Sequence, residues 1–218
     1  MINYLLTNPL LFVVYMISLL VAITIHEFSH GLVADYLGDP TPRLAGRLKL
    51  NPLVHLDAFG LFFLLLFGFG WGKPVPFDPY NLKNPRKDAA LISIAGPASN
   101  IILAILLSLL LKSFIFFNLP TLFAISSFII VPVIYLNVIL GVFNLLPINP
   151  LDGFKIVGGI LSEEKAQQWY ELERYGMIFL LLLIIPLGQS SMLDLIIRPL
   201  TNFFINLLIP SSIGGQLI

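Results

Sequence analysis

Three long apolar runs divide the chain, and each has the length of a helix that crosses a bilayer. The first extends from Leu10 to about Leu37, where Gly38 is a natural stop. The second covers Ala89 to Leu111 and the third Leu122 to Leu146. A hydrocarbon core about 30 Å thick needs roughly 20 consecutive apolar helical residues, so all three predict spans. The stretch Ala58 to Trp71 is as apolar but too short for a helical crossing, and Gly60, Gly68 and Gly70 interrupt it ahead of Gly72-Lys73-Pro74. It predicts a re-entrant or partly inserted hairpin.

The polar segments between the runs add detail. Residues 38–57 are turn-rich and carry Arg43, Arg47 and Lys49. Within them Gly46-Arg47-Leu48-Lys49-Leu50 alternates apolar and basic, which predicts a short strand with one face buried. Residues 71–88 are proline-rich and hold Lys73, Lys83, Arg86 and Lys87. The third run ends in Pro147-Ile148-Asn149-Pro150-Leu151-Asp152-Gly153, and Ser162 to Arg174 reads as a solvated amphipathic connection. Met177 to Pro186 and Met192 to Ile209, separated by Pro186-Leu187-Gly188, predict one to three further helices.

Composition turns this pattern into a class. Of 218 residues, 57% are hydrophobic and 11% charged, against about a quarter charged in soluble domains. The expected fold is an all-α polytopic membrane protein with three core helices, a short membrane-associated β hairpin or strand region after the first, and further C-terminal helices. A single transmembrane domain spans 1–218, with its core at about 10–160 and the C-terminal helices at about 161–218. Twelve basic residues balance twelve acidic ones, so no nucleic-acid partner is expected. There is no Cys, so a metal must be held by His and carboxylates. Met1 to Pro9 contain no Lys or Arg, so the first run lacks the basic start of a signal peptide and is read as a retained span. Loops 38–57 and 71–88 are basic, whereas the N-terminus and the 112–121 turn share only Lys112. The positive-inside rule then puts the N-terminus outside and the ends of the first and third spans at the cytoplasmic side of a cell membrane.

Those two ends carry the chemistry. His26-Glu27-Phe28-Ser29-His30 is an H-E-x-x-H motif, whose histidines lie one turn apart on one helical face and can share a Zn²⁺ ion. Glu27 is placed to take a proton from the attacking water. Two histidines and a glutamate near the end of an apolar span cost several kcal/mol unless paired or metal-bound, which favours function over a solvated helix end. A catalytic zinc wants three protein ligands and an open position. Asp152, Asp57 and His55 are candidates for the third. Asp152 sits in a Pro- and Gly-bounded turn at the membrane edge, although an Asp there equally suits an N-cap.

The chain resembles the site-2 protease family of intramembrane zinc metalloproteases, in a minimal prokaryotic form without a PDZ or CBS domain. The resemblance rests on His26-Glu27-Phe28-Ser29-His30-Gly31, Gly46-Arg47-Leu48, Asn51-Pro52, His55-Leu56-Asp57, Pro74-Val75-Pro76, Ala95-Gly96-Pro97 with Asn100, Asn137, and Phe143-Asn144-Leu145-Leu146-Pro147 through Leu151-Asp152-Gly153. These recur in family order from about residue 20 to residue 160. The resemblance implies His26, His30 and Asp152 as ligands of one zinc ion per chain, with Glu27 as the catalytic base. It also suggests that Asn137 steadies the substrate backbone or the oxyanion.

Other assignments are open. Asn137 and Asn144 are seven apart and share a helical face, which suits substrate contact or helix-to-helix hydrogen bonding. Gly96, Pro97 and Asn100 are read as allowing close helix packing. His55 fits either a role behind the ligands or a capped turn with Asp57. Arg47 and Leu48, on the predicted strand, are candidates to pair with an extended substrate. The expected partners are the lipid bilayer, membrane proteins with a transmembrane helix as substrates, and a regulatory membrane protein. A metal-ion transporter with His26, Glu27, His30 and Asp152 as a transit site is the competing function, and an inactive helix-binding relative is a third.

Overall fold

The structure is a computed structural model that describes residues 2–67, 70–185 and 191–210. A short helix α1 (Ile2–Thr7) leads into α2 (Pro9–Tyr36), and a single turn α3 (Thr41–Leu44) follows. The re-entrant segment forms α4 (Ala58–Phe67), and the long helices α5 (Pro85–Phe116) and α6 (Pro120–Asn144) come next. Four further helices follow among the described residues: α7 (Asp152–Ile160), α8 (Glu163–Glu171), α9 (Glu173–Ile184) and α10 (Met192–Leu208). Among the described residues α2, α5 and α6 are the helices long and apolar enough to cross a membrane. Pro sits in the first turn of each, where its missing N–H leaves nothing unpaired.

The three spans pack inside out relative to a soluble protein. Their outer faces expose Ile17, Ile102, Leu109, Ile125 and Ile129, whereas Ser18, Ser93, Asn100, Ser108 and Asn137 are buried between helices. In lipid each polar group must find a partner within the protein, and Ser18, Asn100, Ser108 and Asn137 do. Ser18 Oγ donates to Val14 O at 2.7 Å, and Ser108 Oγ to Leu208 O at 2.5 Å. An apolar cluster of Ala104, Leu111, Ile134, Val138 and Val142 joins α5 to α6, and Ile205 and Leu208 of α10 close it. At 12 residues, α9 reaches only about 18 Å. The separator Pro186-Leu187-Gly188 lies outside the described residues.

The re-entrant segment departs from the expected strand region. Asp57 caps α4, its Oδ1 accepting from Gly60 N at 2.8 Å, and the ten-residue helix spans about 15 Å, half of a hydrocarbon core. The chain then returns: a side chain at Gly60 would collide with the Trp71 backbone. Gly68 and Phe69 are outside the described residues. Pairing at the neck consists of one antiparallel bridge, Leu56 with Gly72, and a bond from Lys73 N to His55 O at 2.8 Å.

No β hairpin or strand forms at residues 46–50 among the described residues, which corrects the sequence expectation. Gly46, at φ +68°, turns the chain, Arg47 N bonds back to Pro42 O, and Lys49 N bonds to Arg47 O, so the backbone groups are spent locally. Nor do the positions sort into an inner and an outer face, since Leu48 is partly buried and Lys49 exposed. Arg47 is 5% exposed and Leu50 61%, because the Arg47 guanidinium donates to the Lys73 carbonyl. Five alternating residues do not specify a neighbour, and here the available neighbour is polar.

Asp39 ties the two basic loops together. Its Oδ1 accepts from Thr41 N and Asn81 Nδ2, at 3.0 and 2.8 Å, and its Oδ2 from Asp78 N at 2.7 Å. Burial alone would raise this carboxyl, but the bonds from Thr41, Asn81 and Asp78 hold it below the ordinary carboxylate range.

Candidate metal centre

α2 remains helical through its last turns, so His26 and His30 project from the same face, their ring centroids 4.5 Å apart and at right angles. Asp152, the first residue of α7, reaches both: its Oδ2 is 3.1 Å from His26 Nε2 and 3.2 Å from His30 Nε2. It gets there because the backbone at Gly153 presses on the carbonyls of Leu145 and Leu146, where any Cβ would clash. Gly159 similarly lets α7 close on Ala90 of α5. Of the three candidates for the third ligand, the structure therefore brings Asp152 to the histidines. Asp57 caps α4, and His55 is fully buried with its Nε2 donating to Lys49 O at 2.8 Å.

The donor set fits a zinc ion on geometry and on proton positions. His26 Nδ1 faces Asn100 Oδ1 and His30 Nδ1 faces the Ile92 carbonyl, each at 2.7 Å. Both Nδ1 atoms face acceptors and donate, so the two rings, when neutral, present bare Nε2 lone pairs. They converge on Asp152 Oδ2, a buried oxygen with no hydrogen-bond donor. Three electron pairs facing one another need a cation. The ligand atoms all lie within 4.8 Å of one another, and bonds of about 2.0 Å in a tetrahedron separate ligand atoms by roughly 3.3 Å, close to the two distances observed.

Gly96 of α5 forms the wall behind this set. A Cβ there would stand 2.5 Å from His30 Nε2 and 2.7 Å from His26 Cε1. Gly96→Ala is accordingly expected to weaken zinc binding by roughly 5- to 150-fold, the equivalent of 1–3 kcal/mol of overpacking. Competition titration against a chromophoric chelator reads this directly, and an unchanged affinity would show that the imidazoles relax freely. The sequence reading assigned Gly96, Pro97 and Asn100 to helix packing. Gly96 and Asn100 share a face at i, i+4, which was the available hint that both address one object.

Glu27, beside His26, is partly buried, and its Oε2 accepts from Val75 N at 2.9 Å. Val75 lies between two prolines, so its N–H is the one donor that Pro74-Val75-Pro76 possesses. Arg47 anchors this segment one residue earlier through the Lys73 carbonyl. Burial pulls its guanidinium below the usual value, against the opposing charge of Glu27. Leu48 packs near Gly31, where a Cβ would lie 3.0 Å from Leu48 Cδ2. Asn137 is fully buried, its Oδ1 accepting from Asn100 and its Nδ2 donating to Val133 O at 2.8 Å. Asn144 is partly buried and directs its Nδ2 to Leu140 O at 3.0 Å.

Apolar spans wrapped around two histidines, a carboxylate and an adjacent glutamate define a multi-pass membrane protein with a metal centre of the metalloprotease type. The family model for peptidase family M50 matches residues 14–127 and 120–185. The "Putative zinc metalloprotease YwhC" of Bacillus subtilis is 42% identical over 178 residues, which cover 79% of this chain and 81% of that one. The "Putative zinc metalloprotease Rip2" of Mycolicibacterium smegmatis is 29% identical over 180 residues, 80% of this chain and 67% of that one. A zinc metalloprotease of Methanocaldococcus jannaschii is 29% identical over 160 residues, covering 72% of this chain and 37% of its own length. No solved structure matches. The chain belongs to peptidase family M50, the site-2 proteases.

Proposed function

We propose that this chain is an intramembrane zinc endopeptidase that hydrolyses peptide bonds within or beside transmembrane segments of other membrane proteins. The observation that carries the reading is the convergence of His26 Nε2, His30 Nε2 and Asp152 Oδ2 inside a bundle of apolar helices, with Glu27 next to them. Bound there, one zinc ion per chain would polarise the scissile carbonyl and lower the pKa of the attacking water. Glu27 is the general base: it receives the water's proton and passes it to the leaving amine. Its bond from Val75 leaves Oε1 for that task.

His26 lies ten residues before the end of α2, about 15 Å along the axis. With the basic loops 38–57 and 71–88 in the cytoplasm and the N-terminus outside, the site sits a few turns below the cytoplasmic surface. Water reaches it past the polar rim of residues 38–57. A substrate helix must unwind there, since its peptide bonds are otherwise hidden in its own hydrogen bonds.

The test is cleavage of a model transmembrane substrate by purified protein in detergent. Activity is expected to vanish on chelation, to return with about one equivalent of zinc, and to be absent in His26→Ala. Zinc bound stoichiometrically with no cleavage, together with zinc flux into liposomes, would overturn the protease in favour of a transporter.

A further inference from the structure

The two metal-facing histidines are oriented by different means. The Ile92 carbonyl, backbone of α5, holds His30. A side chain, Asn100, holds His26. Asn100 is fully buried and makes further bonds through Nδ2, to Ala22 O at 3.0 Å and to Asn137 Oδ1 at 2.8 Å. Asn137, also fully buried, donates from Nδ2 to Val133 O at 2.8 Å.

Two backbone carbonyls decide how this chain of bonds runs. Ala22 O and Val133 O can only accept, so each asparagine must turn its NH₂ toward its carbonyl. That leaves Asn137 Oδ1 to accept from Asn100, and Asn100 Oδ1 to face His26 Nδ1. His26 must then carry its proton on Nδ1 and keep Nε2 free. The chain starts from α6, passes through α5 and ends on α2, so it also joins the three spans.

We propose that Asn100 is a positioning residue, fixing the tautomer and ring angle of His26 for metal binding, and that Asn137 is its anchor on α6. An amide suits this place. It orients the imidazole as a carboxylate would, without burying a second negative charge where desolvation is costly. The inference rests on reading His26 as a zinc ligand, and its test separates the two.

Zinc affinity is measured by chelator competition on the full-length protein in detergent, alongside the melting temperature of the metal-free form. His26→Ala tests the ligand reading: if it binds zinc as the wild type does, that reading fails. With His26→Ala weakened, Asn100→Ala is expected to bind zinc about 10- to 100-fold more weakly, the usual effect of removing a ligand's hydrogen-bond partner. Asn100→Asp keeps an oxygen facing Nδ1 but, as the neutral acid, has one proton for the two acceptors Ala22 O and Asn137 Oδ1, and is expected to recover part of the affinity. Asn137→Ala should weaken zinc by a smaller factor, and by nothing further once Asn100 is already Ala. Ser108→Ala, which removes another buried bond of α5 without touching the site, should lower the melting temperature and leave zinc affinity unchanged.

The proposal is overturned if Asn100→Ala loses melting temperature as Ser108→Ala does and binds zinc within twofold of wild type. Should Asn100→Ala not fold, Asn137→Ala and Asn100→Asp carry the test: wild-type affinity in the first, or affinity as weak as His26→Ala in the second, overturns it.

Discussion

Glu27→Gln is expected to bind zinc within a few-fold of the wild type while its turnover of a transmembrane substrate falls by about 10²–10⁴, the contribution of a positioned general base. The substitution is well matched to the site. A glutamine has the same shape, and its carbonyl oxygen can still accept the bond that Val75 N makes to Oε2 at 2.9 Å. The Pro74-Val75-Pro76 segment therefore keeps its place. None of the three ligand atoms belongs to Glu27, so the metal set is untouched. What disappears is the capacity to take up a proton. Measuring kcat by gel densitometry and zinc by competition on the same preparation separates the effects. Turnover near wild type would reduce Glu27 to a holder of the Val75 segment and remove it as the base.

How much of this was legible in the sequence depends on how local each feature is. The three spans follow from composition and run length alone, because lipid demands a continuous apolar surface. His26, Glu27 and His30 declare themselves within one turn of helix. Asp152 does not: spacing favours it only modestly over Asp57 and His55, and the fold separates them by giving Asp57 a helix to cap and His55 the Lys49 carbonyl. Arg47 was misread for a related reason. Alternation says that one face differs from the other, but of residues 46–50 Arg47 alone is buried, drawn in by the Lys73 carbonyl 26 residues away. Asn100 and His26 are 74 residues apart, and no periodicity in either helix encodes their meeting. Residues whose partner is on the same turn are readable; those whose partner is on another helix are not.

Asp152→Asn tests the remaining part of the site, with two expected results of opposite direction. Zinc affinity should fall by about two to four orders of magnitude, taking one ligand of three as a third of an apparent binding free energy of roughly 10–16 kcal/mol. Metal-free protein, by contrast, should be no less stable than wild type. Asp152 Oδ2 stands 3.1 and 3.2 Å from two nitrogens, which present lone pairs when both rings are neutral, their Nδ1 protons held by Asn100 and Ile92. An amide NH₂ at the same position is a donor, and it satisfies an imidazole nitrogen that the carboxylate leaves facing an acceptor. Melting curves in the presence of a chelator, with Asp152→Asn equal to or above the wild type, together with lost zinc binding, would mark Asp152 as a residue kept for the metal at the expense of the empty fold. Loss of stability in the metal-free variant would instead mean that the carboxylate pairs with a protonated histidine, and that the site is a charged latch between α7 and α2.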